Sequence, residues 1–139
     1  MIDIGLLAEE LKRDEGFKDK VYKCSAGKLT IAYGHNIEDN PIPERIASLL
    51  LDHDIGQAIA GCENAFPWFY QLSPVRKRVI INMVFNIGVG GVSKFKNMIA
   101  AIEGEDWTEA GRQMLNSKWR SQVGQRAERL ATMMISNEA

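Results

Sequence analysis

The chain has 139 residues, of which 45% are hydrophobic and 25% charged, and its formal net charge is −1. This composition excludes an intrinsically disordered chain, and the near-zero charge excludes a general electrostatic attraction to nucleic acid or membranes. Two cysteines are too few for a disulfide framework, and no segment approaches the ~18–20 apolar residues of a membrane span. The length fits one domain or two small lobes that share a core.

The charges are unevenly distributed. Residues 1–74 carry 7 Lys and Arg against 12 Asp and Glu, whereas residues 75–139 carry 10 against 6. A basic second half is compatible with an anionic polymer as partner, although a solvated helical surface is the simpler explanation. The first residues lack the basic start and the continuous apolar stretch of a secretory signal, so we expect a cytoplasmic protein.

The first 44 residues predict a helix, a small β hairpin and a loop. Apolar residues recur at three- and four-residue spacing over residues 3–15, where Asp3 can cap the helix and Gly16 can end it. Strand-favouring residues then flank the turn "SAGK" within residues 19–35. Two prolines in "NIEDNPIPE" predict a loop.

The rest of the chain predicts helices only. We expect a long helix from Glu44 to about Cys62, a helix opened by Ser73-Pro74 and ended by "GVGG" (88–91), and a short helix closed by Gly104. "DWTE" (106–109) has the pattern of a capping box, and a final helix is expected from about residue 122. The fold class is therefore α+β and mainly helical, with a small N-terminal hairpin.

Glu15 is the strongest catalytic candidate. It ends the first helix, where the macrodipole disfavours another negative charge, and burial against the hairpin would act in the same direction. Both effects favour the protonated carboxyl that a general acid needs. The alternative is an ordinary surface glutamate beside a glycine.

Several fragments occur in the order found in one known family. "DEG", "VYK", "LTIAYGH", "INMVFNIG", "SKWRSQ" and "QRA" together resemble the phage-type lysozymes of glycoside hydrolase family 24. The resemblance implies a two-lobed fold, with an N-terminal lobe at about 14–43 and a connecting helix at about 44–62. The C-terminal lobe would comprise about 63–139 plus helix 3–13, and a cleft would lie between the lobes.

The resemblance also implies a function. The family cleaves the β-1,4 bond between N-acetylmuramic acid and N-acetylglucosamine in peptidoglycan, so glycan strands would be the partner of a monomer without cofactor. Direct membrane insertion and nucleic-acid binding are not expected. As an endolysin, the protein would remain in the host cytoplasm until a holin opens the inner membrane.

Three residues match the catalytic pattern of the family. Glu15 matches the general acid, and Thr30 matches a threonine that helps to place the attacking water. Cys24 stands where the family usually has Asp, although Cys is known there in some members. A thiol with a pKa of about 8.5 is mostly neutral at pH 7 and stabilises a cationic sugar less well than a carboxylate does. We therefore expect Cys24 to orient water together with Thr30.

Further residues match positions that bind substrate. Phe85 and Asn86 would line the saccharide cleft, and Asn36, Met98 and Gln113 are further expected sugar contacts, although Met98 and Gln113 differ in type from the family's residues. Arg126 would lie near the general acid and tune it, or it is an ordinary surface arginine. His35 would pair with Asp54, as a contribution to stability. The spacing of His, Cys and carboxylates predicts no metal site.

Two other functions remain open on the sequence. Because the usual Asp is absent, the chain could be a lysozyme-like module that binds peptidoglycan with weak turnover or none. The second alternative is a helical protein that binds nucleic acid, but "VRKRV" is too short to supply the required basic and aromatic surface. The pair Glu15 and Thr30 favours the enzyme. The resemblance implies that the short loop 36–44 replaces a longer segment of better-known family members.

Overall fold

The computed structural model describes all 139 residues and confirms the predicted α+β, mainly helical fold class. The chain divides into two compact units, Met1–Leu49 and Leu50–Ala139. The elements in order are α1 (Ile4–Glu15), β1 (Lys18–Lys23), β2 (Leu29–Ala32), β3 (His35–Asn36), α2 (Glu44–Ala65), a 3-10 helix (Pro67–Gln71), α3 (Pro74–Ser93), α4 (Lys96–Glu103), α5 (Trp107–Leu115), α6 (Lys118–Val123) and α7 (Gln125–Ser136). None of the helices combines the length and the apolar character needed to cross a membrane.

Both ends of α1 form as the sequence predicts. The Asp3 carboxylate accepts a hydrogen bond from the backbone N–H of Leu6 at 2.9 Å, which satisfies one of the free donors of the first turn. Gly16 ends the helix with φ +72°, and its N–H donates to the carbonyl of Lys12. Glu15 is thus the last helical residue, directly before the sheet.

The hairpin of the first unit has a third strand. The sheet is antiparallel in the order β1-β2-β3, with Tyr22 opposite Thr30 and Thr30 opposite Asn36. Strand β3 contains only two residues, so it is too short to show the alternation by which a strand is recognised in a sequence. The tight connection of β2 to β3 passes through Gly34, which has φ +69°.

The core of the second unit contains the apolar stripe of α3. Val79, Ile80 and Met83 are fully buried, and Trp119 from α6 is 4% exposed. Among the helices, α3 and α7 contribute the most residues to this core. Trp107 is half-buried at the edge of this core.

The structure confirms one predicted helix end, at the glycine segment 88–91, and shifts two other boundaries. The helix opened by Ser73 breaks at Gly88, where φ is +76° and ψ 167°, but helical turns resume and continue to Ser93. Gly124, with φ +60° and ψ −124°, separates α6 from α7, so the final helix begins at Gln125 and not at about 122. Helix α2 continues past Cys62 to Ala65, where the 3-10 helix follows.

The capping box of α5 is only half formed. Asp106 accepts a hydrogen bond from the N–H of Glu109 at 3.1 Å, as predicted. The Glu109 carboxylate does not return to the N–H of Asp106, which donates instead to the carbonyl of Ala101. Glu109 binds the guanidinium of Arg112 with both oxygens, at 2.7 and 2.8 Å. An ion pair one helical turn ahead has therefore replaced the second bond of the box.

A buried arginine holds the C-terminal helix in place. Nε of Arg76 donates to the carbonyl of Met134 at 2.7 Å, and Nη2 donates to that of Ile135 at 3.2 Å. Its guanidinium lies 4.0 Å from the centre of the Trp107 ring. Burial lowers the pKa of Arg76. The last carbonyls of α7 lack helical partners, so Arg76 satisfies them from α3 with a charge-assisted bond.

Candidate active site

The carboxyl group of Glu15 lies directly against the β2–β3 turn. A β-carbon built on Gly34 would be 2.8 Å from Oε2 and 2.9 Å from Cδ of Glu15. The side chain therefore contacts the hairpin, as expected. Glu15 is nevertheless exposed, which contradicts the expectation that the hairpin would bury it. An exposed carboxyl that contacts the turn is accessible to a ligand and held on one side.

Cys24 occupies the turn at the other end of strand β2. The backbone N–H groups of Lys28 and then Ala26 lower the pKa of the Cys24 thiol, and the Thr30 hydroxyl acts in the same direction, while partial burial opposes them. Hydrogen bonds from N–H groups stabilise a thiolate because its negative charge faces their positive ends. The turn thus favours the thiolate of Cys24 more than an unperturbed environment would.

Thr30 lies within hydrogen-bonding reach of Cys24, and only 3% of its surface is exposed to solvent. Its hydroxyl donates to the carbonyl of Lys28 at 2.8 Å, and this carbonyl also accepts from the backbone N–H of Cys24 at 2.9 Å. A hydroxyl carries one hydrogen, so it can serve either the carbonyl or the Cys24 thiolate. When the Thr30 hydroxyl donates to the Cys24 sulfur, the Lys28 carbonyl still accepts the hydrogen bond from the backbone N–H of Cys24. Thr30 is thus placed to act through Cys24 and has little surface open to water.

The two cysteines should react differently with alkylating reagents. Burial raises the pKa of the Cys62 thiol to about 11, whereas that of Cys24 is lowered. Because the thiolate is the nucleophile, we expect iodoacetamide at pH 7 to modify Cys24 about tenfold faster than Cys62, or more. Mass spectrometry of peptides from the folded protein measures both rates, and the denatured protein, in which the rates should converge, is the control. Modification of Cys62 first would contradict this assignment.

Phe85 and Asn86 are both exposed on α3, in the second unit. Phe85 lines an apolar groove of about 380 Å³ together with Leu51 and Ile81. Oδ1 of Asn86 accepts a hydrogen bond from Nε1 of Trp119 at 2.8 Å, so its orientation is set by a buried indole. The NH₂ group of Asn86 is then left to donate to a ligand.

Arg126 is half-buried and bound to α3. Its Nε donates to Oδ1 of Asn82 at 2.9 Å, and Nη2 contacts the carbonyl of the same residue at 3.4 Å. Arg126 also lines the groove beside Phe85. Arg126 is therefore not an ordinary surface arginine, because its guanidinium is held by hydrogen bonds to Asn82. Its expected effect on Glu15 stays a prediction, as does the pairing of His35 with Asp54.

Three predicted sugar contacts are placed where they support the structure. Met98 is completely buried beneath a groove of about 410 Å³, so no atom of it is open to a glycan, which contradicts a direct contact. Gln113 lines that groove, but its amide donates to Glu109 at 2.7 Å. Asn36 accepts the backbone N–H groups of Glu38 and Asp39 and donates to the Asp39 carboxylate, as in an Asx turn. Its side chain therefore shapes the loop after β3.

Sequence reasoning missed three residues that hold candidate groups in place. Gly34 provides the surface on which Glu15 rests, Trp119 orients Asn86, and Asn82 holds Arg126. Only Gly34 left a signal, because a glycine between two short strands indicates a turn with positive φ. His, Cys, Asp and Glu side chains do not cluster anywhere in the chain in a way that could hold a metal ion.

Comparisons with known proteins agree with these features. The family model described as phage lysozyme matches residues 12–133. The chain is 30% identical to "Probable T4-type lysozyme 2" of Dictyostelium discoideum, covering 94% of both proteins. It is 30% identical to "Pre-baseplate central spike protein Gp5" of Enterobacteria phage T4, over 94% of this chain and 28% of that protein. It is also 36% identical to "Endolysin" of Acyrthosiphon pisum secondary endosymbiont phage 1, over 57% of this chain and 55% of that protein.

The fold and these matches define the class of a lysozyme-type glycosidase, a hydrolase of peptidoglycan. The match over residues 12–133 includes the α1–hairpin segment with Glu15, Cys24 and Thr30, and nearly all of the helical second unit. The chain belongs to the phage lysozyme family.

Proposed function

We propose that the protein is an endolysin-type muramidase. It cleaves the β-1,4 bond between N-acetylmuramic acid and N-acetylglucosamine and thereby lyses the bacterial host for phage release. The observation that carries the proposal is the arrangement around strand β2, with an accessible carboxyl held at one end and a turn that favours a thiolate at the other. Glycan strands are the partner, a monomer is sufficient, and the enzyme waits in the host cytoplasm until a holin releases it to the cell wall.

Glu15 is the general acid in this mechanism. Its protonated carboxyl gives its proton to the glycosidic oxygen as the bond from that oxygen to the sugar carbon breaks. The positive charge that develops on the sugar carbon is quenched by water. Nothing in the first unit covers the Glu15 carboxyl on its exposed side, which leaves room for a sugar ring there.

Cys24 orients the attacking water together with Thr30 in this proposal. The backbone N–H groups that lower the pKa of Cys24, and the Thr30 hydroxyl beside it, favour a sulfur that can accept a hydrogen bond from this water, which releases its proton to solvent. Strand β2 has four residues and spans about 13 Å at ~3.3 Å per residue, so its two ends can hold groups on opposite sides of a sugar. A covalent sugar on Cys24, detected by intact-mass analysis during turnover, would contradict this role and indicate a nucleophile.

Phe85 and Asn86 are the proposed sugar contacts of the second unit. An aromatic face can pack on a sugar ring, and the free amide group of Asn86 can donate to acetamido or hydroxyl oxygens.

The product of digestion tests the proposed bond. We expect purified Gram-negative peptidoglycan, digested and then reduced with borohydride, to yield fragments that end in reduced muramic acid. Mass spectrometry distinguishes these from fragments that end in reduced glucosamine. Glucosamine ends would contradict a muramidase.

A peptidoglycan-binding module without turnover is the second candidate, favoured by the thiol in place of a carboxylate. Sedimentation of the protein with insoluble peptidoglycan, measured alongside product release, separates the two. Sedimentation without any new reducing ends would favour the binding module.

A further inference from the structure

Gly34 combines two properties that are rarely found together in this chain. Its φ of +69° lies in the region that residues with a β-carbon seldom adopt. A β-carbon at this position would also come within 2.8 Å of Oε2, 2.9 Å of Cδ and 3.2 Å of Cγ of Glu15. The other positive-φ glycines, Gly16, Gly27, Gly88 and Gly124, have no atom within 4 Å of such a carbon. A positive φ therefore does not by itself bring a side chain against a glycine, and the close contact with Glu15 is specific to Gly34.

The atoms in contact are the end of one flexible side chain. All three close atoms belong to Glu15, and none belongs to the backbone of the sheet. A β-carbon on residue 34 would be accommodated by rotation of the Glu15 side chain, since that motion costs less than a shift of the strands. The consequence of adding this carbon would therefore be a displaced carboxyl and not a disrupted sheet.

We propose that Gly34 is a positioning residue for Glu15. Because Gly34 has no side chain, the Glu15 carboxyl packs directly on the backbone of the β2–β3 turn, and we call this backbone surface the seat of Glu15. The seat restricts the directions in which the carboxyl can point. The catalytic meaning of the seat rests on the proposed role of Glu15 as general acid, but the contact itself does not. A misplacement of about 1 Å at a reacting group can cost about 100-fold in rate, so a small rotation of Glu15 is sufficient.

The test compares Gly34→Ala with Gly27→Ala. Both positions have positive φ, +69° and +79°, so both substitutions carry a similar backbone penalty, but only the first meets Glu15. We expect a similar fall in melting temperature for both variants, on the order of 5 °C. The signal of the Glu15 carboxyl carbon in ¹³C NMR, assigned by its loss in Glu15→Gln, should shift in Gly34→Ala and remain unchanged in Gly27→Ala.

Kinetics on soluble peptidoglycan fragments supply the second readout. We expect Gly34→Ala to lower kcat about 100-fold while KM changes less than about threefold, because the acid moves and the sugar-binding surface does not. Gly34→Asn serves as a second variant, since asparagine tolerates positive φ better than alanine but still carries the β-carbon. It should fold more stably than Gly34→Ala and lose a similar fraction of kcat.

Two results would overturn the proposal. One is an unchanged Glu15 resonance and an unchanged kcat in Gly34→Ala. The other is a much larger loss of stability in Gly34→Ala than in Gly27→Ala, which would locate the strain in the sheet. A wild-type protein without turnover would instead refute the proposed function, and the carboxyl resonance would still decide whether Gly34 holds Glu15.

Discussion

Replacing Glu15 by Gln is expected to reduce hydrolysis of peptidoglycan by about 10²- to 10⁴-fold, the usual contribution of a general acid. The amide has nearly the same size and keeps the contact with Gly34, but it has no proton of suitable acidity to give to the leaving oxygen. Reducing-end release from purified peptidoglycan measures the loss.

The same substitution should leave the fold intact or stabilise it slightly. Glu15 is the last residue of α1, where a negative charge faces the negative end of the helix macrodipole. Removing that charge is expected to raise the free energy of unfolding by about 0.3–1 kcal/mol. An activity that falls while stability rises separates a catalytic role from a structural one.

Glu10→Gln is the matched control for this prediction. Glu10 is exposed on the same helix and makes no ion pair, so its neutralisation should change neither activity nor stability measurably. Full activity in Glu15→Gln, or an equal loss in Glu10→Gln, would contradict the assignment of the general acid.

Replacing Arg76 by Ala is expected to lower the free energy of unfolding of the second unit by about 1.5–3 kcal/mol, the usual contribution of hydrogen bonds to a charged group. Two carbonyls of α7, those of Met134 and Ile135, would lose a charged donor, and Trp107 would lose the cation over its ring. Because typical domains are stable by only ~5–15 kcal/mol, this is a large fraction of the total.

Tryptophan fluorescence during urea unfolding measures this effect. All three tryptophans of the chain lie in the second unit, so the signal reports the unit that contains Arg76. Arg76→Lys keeps the charge but cannot bond both carbonyls and stack on the ring, and it should lose an intermediate amount.

Arg78→Ala is the control for Arg76→Ala. Arg78 is exposed on the same helix, and we expect its replacement to change stability by less than about 0.5 kcal/mol. A loss below 1 kcal/mol in Arg76→Ala would show that the buried guanidinium contributes little beyond its own desolvation cost.

Local signals in the sequence were sufficient for much of the fold. Asp3, Ser73 and Asp106 each cap a helix in the structure, because a short side chain with an oxygen can reach an N–H two or three residues ahead. Gly16 and Gly104 end helices for an equally local reason. These interactions span fewer than five residues, so a single segment contains all the information needed.

Other patterns in the sequence misled, because a competing partner or the packing of the core decided the outcome. Glu109 has the spacing of a capping box, yet Arg112 binds its carboxylate, and Met98 lies at a predicted sugar position yet is fully buried. Gly88 and Gly124 both interrupt helical segments, but helix resumes after each of them because the core of the second unit still has apolar faces to cover.

Residue type and spacing within single segments were enough to predict the fold class, the family and the candidates Glu15, Cys24 and Thr30. The three-dimensional structure was needed to show that Glu15 rests on Gly34 and that the turn of Lys28 lowers the pKa of Cys24. It also decided that Trp119 orients Asn86. The physical reason is that these effects depend on distances between atoms of separate elements, which packing sets and which no single segment encodes.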